Sequence, residues 1–305
     1  MRGPLARLVP HLPRSALERL DRWLVRPALG APVPVARRLA ALLRHLNPTP
    51  RGVSITPAVF GGVPGEIVAP DGVGEPPRIL YAHGGAYVIA SPATHRTITA
   101  TLALEAGSPV FAADYRLAPE HPAPAARDDA LAAYRDLAGR NGGGVALAGD
   151  SAGGGIALAC AQAAIASGLP APAGLVLISP WVDLTLSGES YETNRGRDAL
   201  LTIDALGVGV RAYASRLAPD DPVCSPLLGE LGGLPPMLIQ AGVKELLRSD
   251  AELLAERARA AGCEVELEIG AELWHDYQVH AGMMREADEA LARMGAWLAA
   301  RLGSS

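Results

Sequence analysis

The chain has 305 residues, of which 49% are hydrophobic and 19% charged, and its 27 basic and 32 acidic side chains leave a net charge of −5. That length holds one large domain with a modest accessory element, and charges without long runs of one sign argue against a nucleic-acid backbone or an anionic membrane as partner. No run of about 18 apolar residues exists, so no membrane span is expected. The opening MRGPLARLVPHLPRS is too broken by prolines and charges to serve as a signal peptide. Cys160, Cys224 and Cys263 are scattered without metal-ligand spacing, which points to reduced, structural thiols in a cytoplasmic protein that needs no metal or organic cofactor.

Residues 1–48 form an N-terminal helical segment. Ser15-Ala-Leu-Glu18 fits a capping box that opens a helix running toward Leu24 and stopping before Pro27. A second helix is expected over Val35–His45, ending before Asn47 and Pro48. Beyond residue 53, short apolar runs alternate with helical stretches. The expected strands are Glu66–Ala69, Ile79–His83, Val110–Asp114, Val145–Gly149, Leu175–Ser179, Met237–Ala241 and Glu264–Ile269, and the middle five read as strands covered on both faces. Helical patterns fall near 94–106, 124–138, 153–167, 249–261 and 285–302. Such alternation predicts an α/β fold with a mostly parallel sheet flanked by helices. The segment 183–216 interrupts the rhythm and, with 1–48, is assigned to a helical cap over the sheet, leaving 49–182 and 217–305 as the two parts of the core.

Gly149-Asp150-Ser151-Ala152-Gly153 is a G-x-S-x-G placed between a strand and a helix. A serine on so sharp a turn presents its hydroxyl, and the helix that follows aims free amides at it. Some 70 residues upstream, His83-Gly84-Gly85-Ala86 follows another strand, where backbone N–H groups free of side-chain hindrance can face an oxyanion. The expected oxyanion-hole donors are the amides of Gly84, Gly85, Ala86 and Ala152, with alanine acceptable at 86 if its backbone is ordinary. His83 is expected to brace the loop. Asp150 is read as a structural hydrogen-bonder pointing away from substrate, and Asp114 with Arg116 as a buried polar pair.

These strings, with Asp114-Tyr115-Arg116-Leu117-Ala118-Pro119-Glu120, Ser179-Pro180-Trp181-Val182-Asp183-Leu184 and Gly233-Leu234-Pro235-Pro236, resemble the GDSAG branch of the hormone-sensitive-lipase family of bacterial esterases. The likeness spans roughly residues 60–280. It implies the α/β-hydrolase fold and a nucleophile, acid and base in that chain order. Ser151 is then the nucleophile. His275, in Leu273-Trp274-His275-Asp276-Tyr277 after the last strand, matches the base, with His280 as alternative. Aligning Gly242 and Leu247 puts Glu245 in the place of the orienting acid. Asp250 is its rival, otherwise read as a carboxylate favoured by a helix dipole. The implied activity is hydrolysis of small, short-acyl carboxylic esters through an acyl-enzyme. Lactone, amide or acetyl-sugar hydrolysis on the same residues, or ligand binding without catalysis on this scaffold, are the alternatives. The expected partner is a small-molecule ester, with a homodimer left open.

Overall fold

The computed structural model describes residues 11–46, 49–142 and 144–303. The first ten residues of the expected N-terminal segment, its terminating Asn47 and Pro48, and Gly143 in the run Gly142-Gly143-Gly144 lie outside them. Eight strands build one sheet: β1 (Val53–Phe60), β2 (Val63–Pro70), β3 (Ile79–Ala82), β4 (Val110–Ala113), β5 (Ala146–Asp150), β6 (Leu175–Ile178), β7 (Met237–Gly242) and β8 (Val265–Gly270), in the order β1-β2-β4-β3-β5-β6-β7-β8. β2 pairs antiparallel with β1 and β4, and every other pairing is parallel.

The helices are α1 (Arg14–Leu20), α2 (Arg26–Leu29), α3 (Val33–Leu43), α4 (Arg96–Ala106), α5 (Ala125–Arg140), α6 (Ala152–Ala166), α7 (Ser190–Thr193), α8 (Ile203–Tyr213), α9 (Arg248–Ala260) and α10 (Arg285–Gly303). Alternation along the strands feeds two cores. Leu80, Phe111, Leu147, Leu177 and Ile239 pack with Leu137 of α5, Leu158 of α6 and Leu254 of α9. Their neighbours Ile79, Tyr81, Val110, Val176 and Leu238 face the other way, onto Ile98 of α4 and Leu291 of α10. Both faces of the central strands are thus covered by helices, which is why they read as continuous apolar runs.

β1 was not expected from the sequence. It is an edge strand of mostly exposed and half-buried residues, with Pro57 inside it. An edge position tolerates the proline because the missing N–H faces no partner. Gly61 and Gly62, both at positive φ, close the two-residue hairpin to β2.

Three local expectations are corrected. The Ser15–Glu18 capping box does not form. α1 starts two residues earlier, behind Pro13 with no side-chain cap, so Ser15 lies inside the first turn and Glu18 instead meets Lys244 Nζ at 3.1 Å. Nor does the chain leave its helical path before Pro27: it passes through a π-helical turn, Asp21–Val25, directly into α2. Asp114 and Arg116 are not a buried pair. Both are exposed, and Arg116 pairs with Asp129 at 2.7 Å. Strand-like alternation turns the intervening Tyr115 inward instead.

The N-terminal helices are anchored through buried contacts. Leu17, Ala28, Ala36 and Ala40 are buried. Asp21, turned inward by the π-helical turn, accepts hydrogen bonds from Trp274 Nε1 (2.7 Å) and His280 Nε2 (2.6 Å).

Candidate active site

Ser151 sits between β5 and α6 with φ 53° and ψ −123°, a backbone that non-glycine residues rarely adopt and that costs on the order of 1–3 kcal/mol. Surrounding contacts hold it there. Its N–H donates to Ile178 O (2.8 Å) and its carbonyl accepts from Trp181 N (2.9 Å). The flanking glycines are required by proximity: a Cβ on Gly153 would lie 2.0 Å from Ala82 O, and one on Gly149 would lie 2.4 Å from Gly153 O. The turn is therefore pressed against β3, and the Ser151 hydroxyl stands at the sheet's C-terminal end.

His275 comes from the loop after β8. Its Nε2 lies 3.0 Å from Ser151 Oγ, and its Nδ1 lies 3.3 Å from Glu245 Oε2. Glu245, fully buried after β7, accepts at Oε1 from Ser179 Oγ (2.8 Å) and from the Gly242 N–H. Burial raises the Glu245 carboxyl above its ordinary range, while hydrogen bonding to His275 pulls it back. For His275, burial alone would favour the neutral ring, but the Asp276 and Glu245 carboxylates outweigh it and hold its pKa well above 6.5.

Asp250 is elsewhere. Its carboxylate accepts from the N–H groups of Val182 (3.0 Å) and Asp183 (2.9 Å) and from the Tyr191 hydroxyl (2.8 Å). It therefore pins the chain after β6 from the first turn of α9, the helix-start position that a carboxylate favours. His280 lines the same cavity as Ser151, but its Nε2 is tied to Asp21.

The His83–Ala86 segment approaches the serine closely. A Cβ on Gly84 would sit 3.1 Å from Ser151 Cβ and 2.1 Å from Asp150 Oδ2. Gly85 has φ 113°, open to glycine and strained for other residues. Among the described residues, the amides of Gly84, Gly85 and Ala86 donate to no protein acceptor. Ala152 opens α6, where first-turn amides lack intrahelical partners. Ala86 departs from the ordinary backbone expected of it, with φ 52°. The tight turn from Gly85 to Ile89, in which Val88 N and Ile89 N both donate to Gly85 O, imposes that conformation.

His83 braces this loop. Its Nδ1–H donates to Gly84 O (2.7 Å), and the Tyr115 hydroxyl donates to His83 O (2.6 Å). Burial and the nearby His95 lower the His83 pKa to about 3, so the ring is neutral. Asp150 is buried and held by Tyr81 Oη (2.5 Å) and His95 Nε2 (3.1 Å).

Two residues at the site were missed in the sequence. Ser179, at φ 43°, donates to Glu245 and accepts from Asp276 N–H (3.2 Å). Asp276 places Oδ2 3.0 Å from His275 Nε2. Both lie inside recognised strings, Ser179-Pro180-Trp181 and Trp274-His275-Asp276, but membership of a string assigned neither a role.

Above Ser151 and His275 opens a cavity of about 180 Å³. Its walls include Leu29 and Val33 from the N-terminal helices, Ile89, Leu201 and Leu206 from the 183–216 segment, and Val279. Among the described residues, no three His, Cys, Asp or Glu side chains are grouped to hold a metal ion.

A family profile describing the alpha/beta hydrolase fold matches residues 79–279, two thirds of the sequence. The chain belongs to that family. An acetyl-hydrolase of Streptomyces hygroscopicus is 42% identical over 227 residues, covering 74% of this chain and 76% of that protein. An esterase of Acinetobacter venetianus is 37% identical over 262 residues, covering 85% of each. The crystal structure of a hormone-sensitive lipase from a metagenome library superposes with a TM-score of 0.91 at 40% identity, covering 96% of this chain and 100% of that one. The homologue EstE7, also from a metagenome library, gives 0.89 at 39%, covering 96% and 99%. Within the α/β hydrolases, the chain is therefore a member of the hormone-sensitive-lipase group of bacterial esterases.

Proposed function

We propose that this α/β hydrolase is a serine esterase of small, short-acyl carboxylic esters, with Ser151 as nucleophile, His275 as base and Glu245 as orienting acid. The observation that carries the reading is the 3.0 Å approach of His275 Nε2 to Ser151 Oγ with Glu245 at the opposite ring nitrogen. Ser151 Oγ attacks the ester carbonyl while His275 takes its proton, and Glu245 keeps the Nδ1–H tautomer that leaves Nε2 free to accept. The amides of Gly84, Gly85, Ala86 and Ala152 receive the oxyanion as it forms. His275 then protonates the leaving alcohol, and water repeats the sequence on the acyl-enzyme to release the acid.

A preference for short chains is supported by the modest cavity between the sheet and the residues of 1–48 and 183–216, which act in this reading as a two-part cap. The acetyl-hydrolase name of one relative points the same way. No helix of the described residues is long and apolar enough to cross a membrane, and a small-molecule ester is the expected partner. Turnover of p-nitrophenyl esters from acetate to palmitate, with Ser151→Ala as control, tests the proposal. The expected optimum lies between about C2 and C8, since each methylene of fit changes discrimination by about 1–3 kcal/mol. An optimum at C16, or full activity in Ser151→Ala, rejects it.

A further inference from the structure

We propose that Asp276 is a positioning residue that shares a proton with His275 Nε2 and so keeps the base occupied until that proton leaves the site. This rests on the reading of His275 as the base for Ser151. The two contacts at Nε2 are in conflict. Ser151 Oγ and Asp276 Oδ2 each lie 3.0 Å from this one nitrogen.

In the attack-ready state Nε2 carries no hydrogen and points a lone pair at the serine hydroxyl. A carboxylate oxygen is acceptor-only. Two bare acceptors at hydrogen-bond distance repel, and in a buried site little solvent screens them. A proton between the two groups removes the conflict, either on nitrogen beside an ionised carboxylate or on oxygen as a neutral carboxyl donating to nitrogen. Each arrangement holds one proton more than the attack-ready state. When that proton is lost to solvent, Nε2 becomes free to take the Ser151 proton.

The placement of Asp276 is built in. Its φ of 52° turns the side chain back along the loop, its N–H donates to Ser179 Oγ (3.2 Å), and its carbonyl accepts from Val279 N (3.0 Å). Oδ1 is buried and has no hydrogen-bond partner in the protein, so the protein supplies no competing donor to draw the carboxylate off His275. The other ionisable groups facing this pair are Glu245, with Asp198 acting on it from behind, and Asp150 at the end of β5, itself paired with His95 beside His83 and Tyr81. The Asp150 and Glu245 charges both disfavour a negative Asp276. Together with burial, the largest cause, they raise its carboxyl to about 7 against the pull of His275.

The test is the pH dependence of kcat/KM on p-nitrophenyl acetate, from pH 4.5 to 9.5, for the wild type, Asp276→Asn and Asp276→Gly. Each profile is normalised to its own plateau. Glycine accommodates the positive φ, and thermal melts confirm folding, so a poorly folded asparagine variant does not end the experiment. In parallel, the rate at which a fluorophosphonate probe labels Ser151 is followed over the same range, with Ser151→Ala as blank. The expected result is an acid limb above 6.5 in the wild type that moves down by about one pH unit or more in both variants, a tenfold gain in relative activity on the limb. Labelling shifts in the same way. A limb at the same pH in all three proteins overturns the proposal, as does uniform loss of activity across pH in folded variants. If the wild type fails to label at Ser151, the esterase reading itself falls, an outcome distinguishable from an unmoved limb.

Discussion

Replacing Glu245 by glutamine should be far more damaging than its near-isosteric shape suggests, because the surrounding donors dictate which way the amide faces. Oε1 of Glu245 accepts from the Gly242 N–H and from Ser179 Oγ, while Oε2 faces His275 Nδ1. The Gly242 N–H is a backbone donor that cannot reverse its role, so the glutamine oxygen must take the Oε1 position. Its NH₂ is then presented to Nδ1. That group donates, so it favours the tautomer with the hydrogen on Nε2, where it blocks proton transfer from Ser151. The lost carboxylate also withdraws support from the imidazolium formed in the transition state. Together these should lower kcat by about 10³–10⁴, or about 4–5.5 kcal/mol, with KM little changed. Asp250→Asn is the control. Its oxygen can still accept from Val182 and Asp183, and its NH₂ can donate to a rotated Tyr191 hydroxyl, so kcat should fall by less than about tenfold. Steady-state kinetics on one soluble ester, with melts to confirm folding, compare the two. A loss below tenfold for Glu245→Gln, or a larger one for Asp250→Asn, would refute the assignment of the acid.

Gly85→Ala should cut kcat by at least about 10², because φ is 113° and the new Cβ would lie 2.4 Å from Ile89 O, displacing the amides proposed for the oxyanion; kcat within fivefold of wild type would place those donors elsewhere. Asp21→Ala should strand the Trp274 and His280 donors, costing about 2–4 kcal/mol and lowering Tm by about 3–6 °C, and should alter acyl-chain preference because Asp21 lines the cavity; unchanged melts and substrate profile would dismiss the tie between the N-terminal helices and the core. Burial raises the Asp250 carboxyl from 3.8 to about 7. The folded state then holds this proton more tightly than the unfolded chain, so the resulting stabilisation is fully present below about pH 3.8 and lost as pH rises through about 7. Denaturant titrations should show wild type losing stability relative to Asp250→Asn across that window, and parallel curves would contradict it.

The parts of the fold that were legible in the sequence are those whose burial is unconditional. β3 to β7 are covered on both faces, and so their residues are apolar apart from Asp150 and Gln240, each of which is hydrogen-bonded. β1 escaped notice because an edge strand needs little apolar content and can carry Pro57. The serine turn and the His83–Ala86 segment were readable because local backbone geometry demands small residues at fixed spacing. Glu245 was placed by its position relative to Gly242 and Leu247, and the structure brings it to His275 Nδ1. Contacts fixed only by tertiary packing left no such trace. Asp21 meets Trp274 across 253 positions, and Asp276 meets Ser179 across 97. The φ of Ala86 is likewise set by the turn around it, since alanine is compatible with either sign at a cost of about 1–2 kcal/mol.

Ser179 explains how the proposed acid Glu245 and the carboxylate of Asp276 come to face one imidazole. Its hydroxyl has a single hydrogen, and donating it to Glu245 leaves only lone pairs for the Asp276 N–H. The end of β6 thereby holds both the residue facing Nδ1 and the residue facing Nε2. A shift in this serine would move both carboxylates together relative to the ring. The Ser179 N–H donates to Gln240 O on β7 (2.6 Å), and the next strand-end serine, Ser151, donates its N–H to Ile178 O on β6. The proposed nucleophile, the acid's brace and the acid's own strand are therefore joined through sheet-type hydrogen bonds, not through flexible side chains. Such coupling keeps reacting atoms within the few tenths of an ångström that proton transfer requires. It also means that the short, strained turns at Ser151, Ser179 and Asp276, all at positive φ, are stabilised by the rigid sheet beneath them. The strain is located where the strands end and the chemistry is proposed to begin, which is where a packed core can best sustain it.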